Sequence, residues 1–231
     1  MGKKTKVILW TVFALALAAF IAWILMPKPP PEKAKPGPDP NKVPTIVTHD
    51  VNALISNNGQ TRYRVTSKLW NQFEQAKKPF WTFPNGIVID SLDSKQQIVA
   101  SLVCDSAHYD EQQKYASAVG HVRITMRIDD PASSKPKTIT CRRAYYDDNR
   151  KVAQFKDSVL VTFSTGETIV TNEAFWNTRD GHYYGKLFVR LKGNGRVVEG
   201  YGFDAWDRND SFVIREVKAV LPIDDRKFMS N

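Results

Sequence analysis

The chain has 231 residues, with 33 lysines and arginines against 24 aspartates and glutamates, so its net charge is +9. The excess is uneven, because residues 1–44 carry seven lysines against Glu32 and Asp39. A nucleic-acid-binding protein usually concentrates basic charge on its folded domain, so this distribution argues against that class. Beyond the basic end remain about 185 residues, enough for one domain with its own core.

Residues 7–26 form a run of twenty residues without a charge. As a helix this run would span about 30 Å, the thickness of the hydrocarbon core of a bilayer. Three lysines precede it, so residues 1–6 are expected to stay in the cytoplasm and the rest to be exported. A cleaved signal peptide is the alternative, but the run exceeds a usual signal core and no small-residue cleavage site follows. The predicted single-pass inner-membrane anchor is marked by Val7, Trp10, Phe20, Trp23 and Met26.

Residues 27–44 contain eight of the 13 prolines and four lysines. Proline-rich segments are extended and semi-rigid, so this one predicts a stalk with a reach of about 50 Å at most. A disordered linker is the alternative and gives the same geometry with more slack. A folded domain over 45–223 follows, with a short tail at 224–231.

Residues 59–98 are typical of strands, with a turn near 75–78. The preceding segment 51–55 fits either a short strand or a short helix. Residues 131–136, PASSKP, predict an exposed loop.

One pattern is then written three times, with Ala107, Ala144 and Ala174 as position zero. The same kinds of residue recur at fixed offsets from zero: at minus five Leu102, Ile139 and Ile169; at minus three Cys104, Cys141 and Thr171; at plus two Tyr109, Tyr146 and Trp176; at plus fifteen Val122, Val159 and Val189; at plus seventeen Ile124, Val161 and Leu191. A degraded fourth copy has Gly202 at zero. Fixed spacing within copies and variable joints between them indicate stacked repeat units.

Each copy alternates apolar and polar residues with the period of a half-buried strand. The alternation changes parity between minus three and zero, which predicts a bulge or corner there, because a bulge keeps apolar residues on one face. A polar turn joins the two strands of each copy. The pattern predicts an all-β antiparallel domain with strands at 99–109, 117–127, 137–146, 153–163, 168–176, 183–192, 196–205 and 211–221.

Stacked hairpins of this kind enclose a long apolar groove that would suit acyl chains. The inward-facing candidates for lipid contact are Leu102, Val122, Ile124, Ile139, Val159, Val161, Ile169, Val189, Leu191 and Phe212. The recurring aromatic residues are individually interpreted as ordinary core.

Residues suited to catalysis or metal binding form no recognisable pattern. The four histidines lack metal-ligand spacing, and alternation points His121 to solvent, so no metal or cofactor is expected. Asp110, Asp147 and Asp180 lie one per turn, where aspartate has a local structural role, and no catalytic motif is present. Cys104 and Cys141 share a repeat position, and an exported location would permit a disulfide if their register allowed one.

Several stretches, in this order and spacing, resemble the LptC family, the bitopic component of the lipopolysaccharide export machine. They cover most of residues 59–222 and comprise TRYRVTSKLW at 61–70, KPFW at 78–81, FPNGI at 83–87, CDSAHY at 104–109, GHVRI at 120–124, TNEAFW at 171–176 and EGYGF at 199–203. The resemblance implies a twisted antiparallel β-jellyroll of the OstA-like kind in the periplasm. It also implies that lipopolysaccharide is accepted from an inner-membrane ABC transporter and passed to a soluble periplasmic partner of the same fold.

The final strand is predicted to be an edge that pairs with this partner. Its charges suit an exposed edge, and a proline follows it. The edge residues are Ser211, Phe212, Val213, Ile214, Arg215, Val217 and Val220. Pairing within the domain alone is the alternative. For the whole chain, the competing function is a membrane-anchored structural or adhesion repeat with a filled core and no lipid ligand.

Overall fold

The computed structural model of the chain describes residues 39–57, 59–126, 136–193, 195–206 and 211–222. These ranges contain thirteen strands and no helix, so the predicted all-β class is confirmed for this part of the chain. The strands are β1 Ile46–Asn57, β2 Gln60–Phe73, β3 Phe80–Phe83, β4 Ile87–Leu92, β5 Ile98–Cys104, β6 Ser106–Asp110, β7 Tyr115–Met126, β8 Lys137–Asp147, β9 Val152–Thr162, β10 Thr168–Asn177, β11 His182–Gly193, β12 Arg196–Trp206 and β13 Ser211–Pro222.

The predicted strands from β7 onward agree with the structure to within two residues at each end. The predicted strand 99–109 is interrupted at Asp105 and forms β5 and β6. Segment 51–55, which fitted either a strand or a helix, lies within β1. At the end of the predicted stalk, Asp39 accepts backbone hydrogen bonds from the amides of Lys42 and Val43, so residues 39–43 turn back on themselves. Residues 7–26 and 27–38 lie outside the described residues.

All thirteen strands belong to one antiparallel sheet in which neighbours in sequence pair, except that β3 does not pair with β4 and β5 does not pair with β6. β3 and β4 act as two parts of one long strand that pairs with β2. β5 and β6 form a second such strand: β5 lies between β4 and β7, and β6 lies between β3 and β7. Within the described ranges, β1 pairs only with β2 and β13 only with β12, so these two strands are the edges of the sheet.

Repeat positions in the sequence become rows of directly paired residues across the sheet. The minus-five and plus-seventeen positions form one aliphatic ladder of nine residues in pairing order: Val65, Ile89, Leu102, Ile124, Ile139, Val161, Ile169, Leu191 and Val198. Direct cross-strand pairs are the stabilising unit of a sheet, so the repeat encodes the register. The fourth copy is placed one residue too early by the sequence pattern, because Leu191 pairs with Val198 and not with Val197.

The plus-two positions form a second row of paired residues, which contains aromatic side chains and lies toward the opposite end of the strands from the aliphatic ladder. Large rings and alanines alternate along part of it, in the order Trp81, Tyr109, Ala116, Tyr146, Ala153, Trp176, Tyr183, Ala205 and Phe212. We call the part of the sheet that carries this row the aromatic leaf, and the part that carries the aliphatic ladder the aliphatic leaf.

A line of irregular pairing, here called the crease, separates the two leaves. The register shifts between Val119 and Val122, between Thr140 and Arg143, and just after Thr171. The predicted parity change is thus confirmed as β-bulges, which also bend a strand and increase its twist. On β9, Asp157 and Ser158 both have positive φ, at 63° and 55°, a conformation that non-glycine residues adopt only when their surroundings enforce it.

The polar turns of the repeat cap themselves with their own side chains. Asp110 Oδ1 accepts the backbone N–H of Gln113, and Asp147 Oδ1 accepts those of Asn149 and Arg150. In the third copy, Asp180 Oδ1 accepts the backbone N–H of His182. The aspartates therefore have the local structural role that their turn positions predict.

Fully buried apolar side chains from both leaves and from the crease form one core. Substitutions at inner and outer positions of the strands should therefore lower the free energy of unfolding by different amounts. Ile139 is fully buried in the aliphatic ladder, whereas Leu160 lies on the opposite face and is 37% exposed.

We expect Ile139→Ala to lower the free energy of unfolding by about 2–5 kcal/mol, because it removes buried contacts and leaves a cavity. Leu160→Ala should cost well under half as much, because its side chain already contacts water. Urea denaturation of the full chain in detergent, followed by tryptophan fluorescence, measures both values. Equal losses would contradict the assignment of the inner face.

Candidate functional site

The two leaves face each other, and their inner surfaces make a candidate binding groove. All ten residues predicted to face inward lie in one hydrophobic cluster. Val122, Ile139, Val159, Val161, Ile169 and Val189 are at most 2% exposed, and Leu102, Ile124, Leu191 and Phe212 are partly exposed and pack against them. Whether any of them touches a ligand is a separate question, because burial alone describes a core.

Burial is uneven along the groove. In the centre, from β8 to β11, most of the inner side chains are closed off from solvent by the protein itself, as Ile139, Phe155 and Val189 show, whereas Leu191 is partly exposed. Toward β2–β7 the inner surface is more open, with partial exposure of Trp70, Trp81, Ile89, Leu102 and Ile124. An apolar ligand therefore has direct access to the β2–β7 part and reaches the centre only if the leaves separate.

The leaves meet at their outer rims through a small cluster centred on Tyr183. The Tyr183 hydroxyl of β11 lies 3.9 Å from Met126 Sδ at the end of β7. Phe163 contacts Tyr183 and Phe212 edge-on, with ring centroids 6.1 Å and 4.6 Å apart. Met126, Tyr183 and Phe212 belong to strands that do not pair with one another, and Phe163 directly follows β9, so the contacts close the groove from one leaf to the other.

Lys137 takes part in this rim closure, and the sequence interpretation missed it. Its Nζ lies 4.6 Å from the centre of the Phe163 ring and 4.9 Å from that of Tyr183, and the residue is 1% exposed. A desolvated cation over aromatic rings is held electrostatically. The signal was present in the alternation, because Lys137 precedes Ile139 by two residues and therefore points to the same inner face.

The aromatic leaf carries polar atoms into the groove. The indole nitrogens of Trp70 and Trp176 are buried and have no hydrogen-bond partner among the described residues. Trp70 stacks on Phe83 and meets Trp81 edge-on, and Trp176 stacks on Tyr183 with ring centroids 5.5 Å apart. Treating these rings as ordinary core overlooked their unpaired N–H groups, which only the packing reveals.

The two cysteines are free and buried. Their strands, β5 and β8, lie on either side of β7, which separates the thiols by two strand spacings of about 4.8 Å each. That separation exceeds the Cα distance that a disulfide spans, so their shared repeat position does not make them a bonded pair. Burial raises the pKa of each thiol to about 11, which keeps both protonated.

On the outer face, contacts between polar side chains cross the crease. His121 Nδ1 lies 2.7 Å from Asp105 Oδ2, and the His121 side chain is solvent-exposed, as alternation predicts. One repeat later, Arg143 Nε donates to Asp157 Oδ2. Both pairs are exposed, and such pairs add little net stability, so they serve chiefly to orient the bulged strands.

The edge strand β13 is exposed on both faces, because Val213 is half exposed on the outer face and Val217 and Val220 are at least half exposed on the inner face, opposite Gly200 and Val198. Its main side-chain attachment is Arg215, whose Nε and Nη2 donate to Asp204 of β12 at 2.7 and 2.8 Å. His182 Nε2 of β11 lies 2.9 Å from the same carboxylate. The Asp204 side chain is only 15% exposed, so one partly buried carboxylate links the last three strands.

Acid should loosen β13 by protonating Asp204. Hydrogen bonds from Arg215 and then from His182 hold the pKa of Asp204 below its ordinary value. A group whose pKa is depressed in the folded state stabilises it above the unfolded-state pKa, about 3.9, and loses that contribution as the pH falls through the folded value. We expect amide exchange in β13, corrected for intrinsic rates, to accelerate selectively below about pH 4.

Asp204→Asn should abolish this selective acid response in hydrogen exchange of the full chain. Asp157→Asn is the matched control, because the pKa of Asp157 is also lowered, by Arg143, but in β9. An unchanged acid response of β13 in Asp204→Asn would show that this carboxylate does not fasten the strand.

In the part of the chain that the structure describes, no helix has the length and apolar character to cross a bilayer. The anchor residues Val7, Trp10, Phe20, Trp23 and Met26 lie outside that part. In a comparison with known protein families, the family model described as "Lipopolysaccharide-assembly, LptC-related" matches residues 11–221. Among curated proteins, none matches the chain significantly.

Proposed function

Because this chain belongs to the LptC family and so has a role in lipopolysaccharide transport, we propose that its folded sheet holds the acyl chains of lipopolysaccharide between the two leaves. The family is a transport component and not an enzyme, in keeping with an inner surface made of apolar side chains. The groove would therefore bind and release its lipid without changing it chemically.

The observation that carries this proposal is the continuous aliphatic ladder, which remains partly exposed at Leu102 and Ile124. Covering exposed apolar surface with a hydrocarbon chain contributes about 25 cal/mol of favourable free energy per Å². A ladder that continues through neighbouring strands offers one acyl chain successive, similar contacts. Such a surface favours movement along the groove over tight binding at one place.

The closed centre of the groove determines how a lipid must travel. Lipid that enters at β2–β7 meets the rim contacts of Lys137, Phe163 and Tyr183 before it reaches β11. We infer that these contacts open during passage and close behind the lipid. The same filled centre favours the rival function, a structural repeat without a lipid ligand, which makes lipid capture the decisive measurement.

In the proposed route, the chain lies between two partner proteins. Residues 7–26 would anchor it in the inner membrane with residues 1–6 in the cytoplasm, and the stalk would hold the sheet in the periplasm. An inner-membrane ABC transporter would supply the lipid, and a soluble periplasmic β-jellyroll protein would receive it. We assign the receiving contact to the β13 edge, whose unpaired backbone groups suit strand addition.

A photo-reactive amino acid at Ile124 should capture lipopolysaccharide in cells that make it, because this side chain is inward and partly exposed. The same probe at Arg123, which points to the opposite face, should capture at least tenfold less. Val159 and Val189 are fully buried, so capture there should occur only while lipid is being transported. Cross-linked lipid is measured as a mobility shift detected with an antibody to lipopolysaccharide.

Leu102 and Leu191 provide independent inward positions in the same ladder. Absence of capture at Ile124, Leu102 and Leu191 alike, with the protein folded and anchored, would support the structural repeat instead. Equal capture at Ile124 and Arg123 would mean that the inner face is not the lipid path.

Two neighbouring proline substitutions test the β13 edge. Successive amides of an edge strand point alternately toward β12 and away from it, so Val213→Pro and Ile214→Pro remove donors on opposite sides. One variant should lose capture of the soluble partner while keeping a folded sheet, and the other should loosen β13 itself. Pull-down with the purified partner measures the first effect, and hydrogen exchange measures the second.

Deleting residues 211–231 should abolish partner capture while the anchored protein still co-purifies with its transporter. Full partner capture by both proline variants and by the folded deletion would exclude β13 as the contact.

A further inference from the structure

Two buried indole N–H groups without acceptors face the inside of the groove. The Nε1 atoms of Trp70 and Trp176 are shielded from water and unpaired within the described residues. A buried donor left without an acceptor costs about 1–3 kcal/mol, so native structures rarely keep one without a reason. Two of the same kind, on one leaf and on one face, call for a common explanation.

Among the described residues around them, none accepts a hydrogen bond from either indole. Aromatic rings are the immediate neighbours, namely Phe83 and Trp81 at Trp70 and Tyr183 at Trp176. A ring face is at best a weak acceptor, and the 3° angle between the Trp176 and Tyr183 rings keeps the Trp176 N–H in a plane parallel to that ring. The facing ladder is aliphatic. The missing acceptor must therefore come from whatever occupies the groove.

We infer that Trp70 and Trp176 bind the oxygen atoms at the acyl linkages of the lipid, either the carbonyls of its ester and amide bonds or hydroxyls close to them. This inference rests on the proposed function. Hydrocarbon chains themselves carry no acceptor, so in an apolar groove the linkages are the only places where a donor finds one. An indole combines a large apolar ring with a single donor, which suits a contact that is apolar except at one atom.

The two tryptophans lie far apart along the groove. Trp70 is on β2 and Trp176 on β10, six strand spacings apart in the order of the sheet. At about 4.8 Å per spacing, the separation along the groove is roughly 29 Å. They therefore act as successive binding positions for the lipid: Trp70 in the accessible part, and Trp176 in the centre, behind the rim contacts.

Indole resonances of the full chain, labelled with ¹⁵N-tryptophan and held in lipid nanodiscs, test this directly. The six tryptophans are assigned by single substitutions to phenylalanine. Addition of purified lipid A should move the Trp70 N–H downfield, and that of Trp176 as well when the centre fills. Trp206, which stacks on His182 on the outer face, is the internal control and should not move.

Affinity measurements separate the linkage contact from apolar burial. Trp70→Phe keeps the ring and removes one hydrogen bond, so it should weaken lipid A binding about three- to tenfold. It should leave the binding of dihexadecyldimethylammonium unchanged, because that probe has two hydrocarbon chains and no hydrogen-bond acceptor. Trp206→Phe should change neither affinity.

The outcomes distinguish this inference from the function beneath it. If lipid A binds but neither indole resonance moves, or if Trp70→Phe weakens the binding of both probes equally, the tryptophans do not bind the acyl linkages. The proposal that the groove holds the acyl chains would then still hold. Resonances already downfield before lipid is added, and unchanged by it, would mean that water satisfies the donors and would likewise overturn the inference. If neither probe binds, the proposed function itself fails.

Discussion

The structure depends on how each strand carries an apolar face across a bend. Leu102 and Cys104 point inward before the crease, and Ala107 and Tyr109 do so after it, an odd shift that a regular strand cannot make. The bulges absorb one residue and restore the inner face on the far side. Because neighbouring strands shift along the same line, the sheet folds as a whole, and the two leaves can bury each other. The left-handed Asp157 and Ser158 show the conformational strain that this bend imposes.

Burial between the leaves is non-directional, and that property suits transport. When an acyl chain replaces a facing leaf, the apolar side chains exchange one hydrocarbon neighbour for another and remain out of water. The net change in hydrophobic free energy is then small in either direction. The specific contacts are few and local: the cation over two rings at the rim, the indole donors, and the Asp204 carboxylate at the last three strands. Under the proposed function, they would determine where the groove opens and how the edge is held, and the remaining surface would let lipid slide.

Alternation and repeat spacing predict much of this fold, because a cross-strand ladder is a periodic property that one sequence displays directly. The strands, the bulges, the polar turns and the inward set from Leu102 to Leu191 follow from it. The fourth copy was misplaced by one residue because Gly200 and Gly202 leave little pattern to align. Contacts between unpaired strands could not be predicted from the sequence, because the contact of Lys137 with the Tyr183 ring depends on how the two leaves pack against each other. So does the joining of His182, Asp204 and Arg215, which requires three strands in one register. Lys137 alone could have been found, as a lysine on an apolar face.

Neighbour-only pairing also has a consequence for how such a protein can change in length. When β3 with β4 and β5 with β6 are each counted as one long strand, every connection between described strands joins neighbours, so a hairpin can be added or lost without rerouting the chain or breaking any pair except the one it interrupts. Each added hairpin lengthens the sheet by two strand spacings, about 9.6 Å, and brings its own pair of residues to the aliphatic ladder. Sheets of different length are therefore attainable from one repeat by duplication, and under the proposed function the distance that the lipid travels would change in steps of one hairpin.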